Sequence, residues 1–201
     1  YKPKENPFSI DPFKSLVFPR PIGWISSVDK KGNANLAPYS YFNAIADNPP
    51  QVMFAAGGSH AEDGGVKDSV KNIQETKQFV VNIVSWGLKE AMNCSSASEA
   101  RKVNEFDTAN LEKIASVLVD VPRVKDCPAH LECKHTRTVK LMTNDKGEPN
   151  LVIFGQVIGI HINDAVLSDG FVDIKKMDVI GRLGYRDYVR VNNTFSMYPP
   201  K

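Results

Sequence analysis

Lys67, Asp68 and Ser69 stand together just after the glycine-rich stretch 57–65, and Asn72 follows one helical turn later. Val70 and Ile73 are three apart, which predicts a short amphipathic helix, and the run 79–84 is strongly β-forming. The first amides of a helix lack internal partners and the dipole is positive at that end, so an anion is stabilised there. A Ser69 hydroxyl and a Lys67 ammonium are chemistry that a phosphate monoester can use. Asp68 opposes that reading, because a carboxylate repels phosphate and is itself a good cap. On local pattern, capping and phosphate binding both stand, and Asn72 either donates to the same ligand or faces water.

A second candidate is "NLAPYSYFNAIADNPP". Pro38 makes Ala37 extended and is expected to break the strand ladder, which turns backbone groups toward a ligand. Ser40 sits between Tyr39 and Tyr41, and with Phe42 these aromatics either wall a planar ring or join the core. The third is "GWISSVD", an apolar strand carrying Ser26 and Ser27, of which one hydroxyl faces inward and needs a partner. Trp24 reads as core. His161, in "IGIHIND", is a lone imidazole in an apolar strand, a setting more typical of a structural residue than a catalyst.

Several chemistries are absent. There is no Ser–His–Asp order, HExxH, P-loop or GxGxxG, and "GRLGY" at 181–185 is too short to read as a dinucleotide site. Cys94, Cys127 and Cys133 make an odd count without zinc-site spacing. His130 and His135 lie near the latter two, but "CPAHLECKH" alternates as a strand and points its side chains to different faces, so no metal is expected. Free cysteines suit a reducing cytoplasm. A formal charge of +2 gives no pull toward nucleic acid, and no apolar run is long enough to span a membrane.

The elements that must position these residues are mostly strands. The 201 residues, 42% hydrophobic and 24% charged, suit one globular domain. Residues 1–21 carry five prolines, which predicts an extended arm with Phe8, Ile10, Phe13 and Val17 available to pack. Residues 22–190 follow as the domain and 191–201 as a tail. "IGWISSVD" reads as a strand, "KKGN" as a tight turn with Gly32 at positive φ, "ANLAPYSYF" as the return and "PPQVMFAAG" as a third strand. "GLKEAMNCSS" and "EARKVNEF" read as short helices, and Asn110 as a left-handed residue. "AHLECKHTRTVKLMT" and "LVIFGQVIGIHIND" form the clearest hairpin. A closed antiparallel barrel with helical excursions fits this order better than a parallel sheet.

The blocks "PRPIGWISSVDKKGNANLAPYSYFNAIADNPPQVMF", "KDSVKNIQETKQFVVNIV", "NEFDTANL", "CPAHLECK" and "GQVIGIHIND", across residues 19–190, resemble the flavin reductase-like FMN-binding proteins. The resemblance implies a mainly β split barrel of antiparallel, Greek-key type with short helical excursions. It also implies a homodimer that holds FMN non-covalently. In that family the strand matching Trp24, Ile25, Ser26 and Ser27 lies beside the flavin ring. The block matching Pro38, Tyr39, Ser40, Phe42 and Asn43 contacts the flavin, and that matching Lys67, Asp68, Ser69 and Asn72 grips the phosphate end. His161 falls on a strand that can approach the flavin. No side chain is implied as catalytic, since the flavin carries the chemistry. The function implied is transfer of electrons from NAD(P)H through FMN to an acceptor. The alternatives are a flavin-bearing carrier reduced by a redox protein partner, or a non-catalytic FMN-binding barrel. Two departures stand out: Thr76–Lys77–Gln78 lacks a glycine common at that turn, and Asn110 replaces another.

Overall fold

Every residue of strand β1 (Gly23–Val28) is buried, which accounts for a sequence that is apolar on both faces apart from two serines. The computed structural model describes residues 1–200. Six more strands complete the sheet around β1: β2 (Ala34–Tyr39), β3 (Phe42–Asp47), β4 (Pro50–Gly57), β5 (Gln78–Ile83), β6 (Ala129–Lys140) and β7 (Asn150–Ile162). Their order is β2-β1-β5-β6-β7-β4-β3, with every neighbouring pair antiparallel.

The two edge strands, β2 and β3, are consecutive in the chain and joined only by Ser40 and Tyr41, so the sheet curls until its edges meet. Side chains close that seam. The Tyr39 ring lies 4.6 Å from that of Phe54, centroid to centroid, and Phe42 occupies the space a Cβ on Gly23 would need, 2.7 Å away. This is the mainly β, split antiparallel barrel expected above.

Ile25, Phe54, Phe79, Val81 and Ile153 fill the barrel. The Phe79 ring presses on Gly155 so closely that no Cβ fits there. Helix α1 (Asp68–Thr76) adds Val70 and Ile73 to the same core. Lys77 ends it in the left-handed region at φ 64°. Asn110 is left-handed too, at φ 51°. On the outer face of β1, Trp24 packs with Leu36, with Met92 of α2 (Lys89–Cys94) and with Phe106 of α3 (Glu105–Thr108). Cys133 lies in the first core and Cys127 in the second.

Some expectations change. Pro38 does not break the ladder: β2 runs through it, paired with Trp24, because an edge strand has one side on which a missing N–H is harmless. The segment read as a single return is two strands, β2 and β3. Of "EARKVNEF" only the end is helical, starting after Asn104, whose side chain accepts from the Phe106 N–H at 3.2 Å. The arm is not wholly extended. It holds short turns of 3-10 helix at Pro3–Glu5 and Phe13–Ser15, and Phe8, Ile10, Phe13 and Val17 are exposed. Proline suits the first turn of such a helix, which is how Pro3 comes to begin one.

The end of the arm is anchored. Arg20–Pro21 pairs with Ile180–Arg182, which pairs with Tyr188–Arg190. The buried Arg20 guanidinium donates to the carbonyls of Lys14 (2.5 Å), Val17 (2.6 Å) and Leu183 (2.8 Å).

Candidate functional site

Helix α1 begins without a side-chain cap: Lys67 occupies the N-cap position in non-helical backbone, and its side chain makes no capping bond. The first-turn amides therefore keep their donor capacity. They open on a cleft of about 160 Å³. Asn35, Ala37, Pro38 and Tyr39 of β2 line it, with Lys67, Asp68 and Ser69 at the helix start and Ser95–Ser98 after α2. Trp24 secures this last segment by donating its indole N–H to Ser95 Oγ at 2.9 Å.

A buried polar chain fixes the helix start against β2. The Ser69 hydroxyl donates to Asn35 Oδ1 (2.8 Å), and Asn35 Nδ2 donates to Glu105 Oε1 (2.9 Å). The Leu36 N–H donates to the other Glu105 oxygen at 3.0 Å. Asn72 Nδ2 donates to Ser27 Oγ at 3.2 Å, so the inward hydroxyl of β1 has its partner. Burial raises the Glu105 carboxyl above its ordinary range despite these donors. Burial also pushes the Tyr39 phenol up to about 12, against a lowering contribution from Ser69.

Asp68 does not act as a free carboxylate. It is ion-paired with Arg101, and its other oxygen lies 3.1 Å from Nε2 of the buried His60. Arg101 also grips Asp63 at 2.7 Å and donates to the Val66 carbonyl at 3.0 Å. The hydrogen bond from Arg101 holds Asp63 well below the usual carboxylate range, and the reciprocal bond raises Arg101. The loop before α1 is thus fastened to the helix tip, and Arg101 offsets part of the charge that would repel an anion there.

The structure brings Pro38, Tyr39, Lys67, Asp68 and Ser69 to one cleft, with Ser27 and Asn72 directly behind it. Ser40 lines an adjoining hollow beyond Pro38. Trp24 and Ile25 are core, and Ser26 donates to the Pro122 carbonyl at 2.6 Å. Phe42 covers Gly23, and Asn43 is exposed on β3. His161 lines neither cleft; it pairs with the fully buried Glu132, whose carboxylate also accepts the N–H groups of Val117, Leu118 and Val119. Burial works against ionisation of Glu132, yet these donors hold its carboxyl below the ordinary range. Asn35, His60, Arg101, Glu105 and the serines at 95, 96 and 98 were not singled out by sequence. The serine cluster was the one visible signal. Among the described residues, no group of three or more His, Cys, Asp or Glu side chains could hold a metal ion.

The geometry is thus a split antiparallel barrel whose helix α1 starts uncapped beside Pro38 and Tyr39. Comparison with known proteins gives this geometry its class. The flavin reductase like domain matches residues 14–178. An uncharacterized protein of Aquifex aeolicus is 39% identical over 176 residues, 87% of this chain and 86% of its own. Nitrilotriacetate monooxygenase component B from Bacillus cereus superposes with a TM-score of 0.88 at 29% identity, covering 98% of this chain and 97% of its own. The 2-nitrobenzoate 2-nitroreductase of Pseudomonas fluorescens gives 0.80 at 28% identity, covering 93% and 88%. The chain belongs to the flavin reductase like family, and its functional class is that of a flavoprotein oxidoreductase.

Proposed function

We propose that this chain binds FMN in the cleft at the α1 tip and moves electrons from NAD(P)H to an acceptor. The observation that carries the reading is the uncapped start of α1, with Lys67 and Ser69, facing Pro38 and Tyr39 across one cleft. The residues fit the group. Lys67 and the first-turn amides would hold the phosphate. Arg101, shared with Asp63, offsets part of the Asp68 charge that would otherwise repel it. Pro38 and Tyr39 offer a flat wall for the ring, and the polar chain through Asn35 and Glu105 keeps that wall in register with the helix. When bound, FMN supplies hydride acceptance from a nicotinamide and release of electrons onward. The protein's own residues bind, orient and partly desolvate it.

The test is a titration of the protein with FMN, followed by anaerobic addition of NADH or NADPH. Saturable FMN binding and bleaching of the flavin absorbance are expected. Binding without bleaching by either nucleotide replaces the reductase reading with that of a carrier reduced by a protein partner.

The assembly that fits is a homodimer. Phe8, Ile10, Phe13, Leu16 and Phe18 of the arm are each more than half exposed, as are Ile160 on β7 and Phe171. Light scattering is expected to give twice the 22.3 kDa chain mass, and a monomer would remove this assignment. Three free cysteines fit a reducing cytoplasm, which fractionation of the producing cells checks. No described helix is long and apolar enough to cross a membrane.

A further inference from the structure

The hollow beyond Pro38 shares Pro38 and Ser96 with the first cleft, so the two are contiguous. Lys14, Arg20, Arg182 and Arg186 line it, and no carboxylate does. Among the described residues none of these four cations forms an ion pair, whereas Arg101 and Arg190 elsewhere each hold a carboxylate. Arg20 is only 6% exposed; its terminal nitrogens bind backbone carbonyls, and its buried Nε has no partner. Arg182 lies 4.5 Å over the Tyr188 ring and donates to the Tyr185 carbonyl.

Anchoring the arm explains Arg20. It does not explain why three further cations converge on the same hollow with nothing to offset their repulsion. Unpaired cations gathered in a cleft raise the local concentration of anions and form strong charge-assisted bonds to phosphate. A pyrophosphate brings about two negative charges, and a phosphate monoester adds about −1.5 to −2 at neutral pH. The pyrophosphate alone falls short of the three cations left once Arg20 is assigned to the arm, and the added monoester makes up the difference.

We propose that this hollow takes the phosphate-bearing adenosine half of the nicotinamide dinucleotide, with preference for the form carrying a 2′-phosphate. The proposal rests on the reading that flavin occupies the first cleft, since the contiguous hollow then lets a long donor lie beside it.

Calorimetry on the FMN-loaded protein tests this with adenosine 2′,5′-bisphosphate as the probe and adenosine 5′-monophosphate as the reference. The bisphosphate is expected to bind about tenfold tighter or better. A Lys14→Ala/Arg186→Ala variant, altered at two exposed side chains, is expected to lose about tenfold of that affinity. Lys30→Ala/Lys31→Ala, in the exposed turn after β1, serves as the charge-matched control and is expected to bind like the parent. The FMN dissociation constant of the double variant is expected to stay within about twofold of the parent. Equal affinity for the two nucleotides overturns the proposal, as does an unchanged double variant. A parallel loss of FMN affinity assigns these cations to the flavin's own phosphate and also overturns it. An oligoglutamate that binds as tightly as the bisphosphate makes the hollow a docking surface for an acidic protein, and the nucleotide proposal then falls as well. If the parent takes up no FMN, the flavin reading fails by itself. The bisphosphate titration on that same protein still reports whether Lys14 and Arg186 bind phosphate.

Discussion

Ser69 donates its hydroxyl to Asn35 across 2.8 Å, and through Asn35 the start of α1 is tied to Glu105 beneath β2. One buried hydroxyl thus serves the fold and the cleft at once. Ser69→Ala is expected to cost about 1 kcal/mol, or roughly 2–4 °C in a chain of this size, by thermal unfolding. The double variant Lys67→Ala/Ser69→Ala is expected to weaken FMN about tenfold by fluorescence titration while remaining folded. Unchanged FMN affinity in that variant assigns both residues to the fold alone.

Arg101 is the residue that keeps Asp68 from opposing an anion. Arg101→Ala is therefore expected to weaken FMN by about tenfold or more and to leave riboflavin, which has no phosphate, nearly unaffected. Equal losses for the two ligands would point to a collapsed loop instead of an exposed Asp68 charge.

Glu132 carries the clearest pH signature. Its folded carboxyl lies below the ordinary value of 4.5, so its contribution is present above that value and disappears as pH falls through the lower folded one. Glu132→Gln is expected to cost about 2–3 kcal/mol at neutral pH, because charge-assisted bonds to the 117–119 backbone are weakened. The gap between parent and variant should then close under acid, as read by denaturant titrations along a pH series. A gap that does not vary with pH removes the charge from the explanation.

Gly155→Ala is expected to destabilise by about 1–3 kcal/mol, because the new methyl meets the Phe79 ring inside a filled core. Denaturant midpoints measure it. A neutral result would mean that Phe79 has room to turn aside.

What could be read from sequence was what neighbours along the chain determine. Alternation made β6 and β7 a hairpin, Gly32 marked the turn after β1 at φ 85°, and Asn110 fell in the left-handed region. The Lys67–Ser69 stretch was legible as a helix start, but that no side chain caps it was not. The Asn35–Glu105 bond links residues 70 apart and the Arg101–Asp68 pair spans 33, so neither exists until the sheet has curled and α2 and α3 have packed. Pro38 misled for a related reason. Whether a proline interrupts a ladder depends on whether its strand has a neighbour on both sides, and that is settled by strand order alone.

The tight contact of Phe79 on Gly155 has a wider bearing. A barrel stuffed with side chains is a pedestal and cannot serve as a vessel, so any cargo would have to ride on its rim. Drift in loops and termini can then redirect which molecules meet there while the hub beneath them never has to be rebuilt.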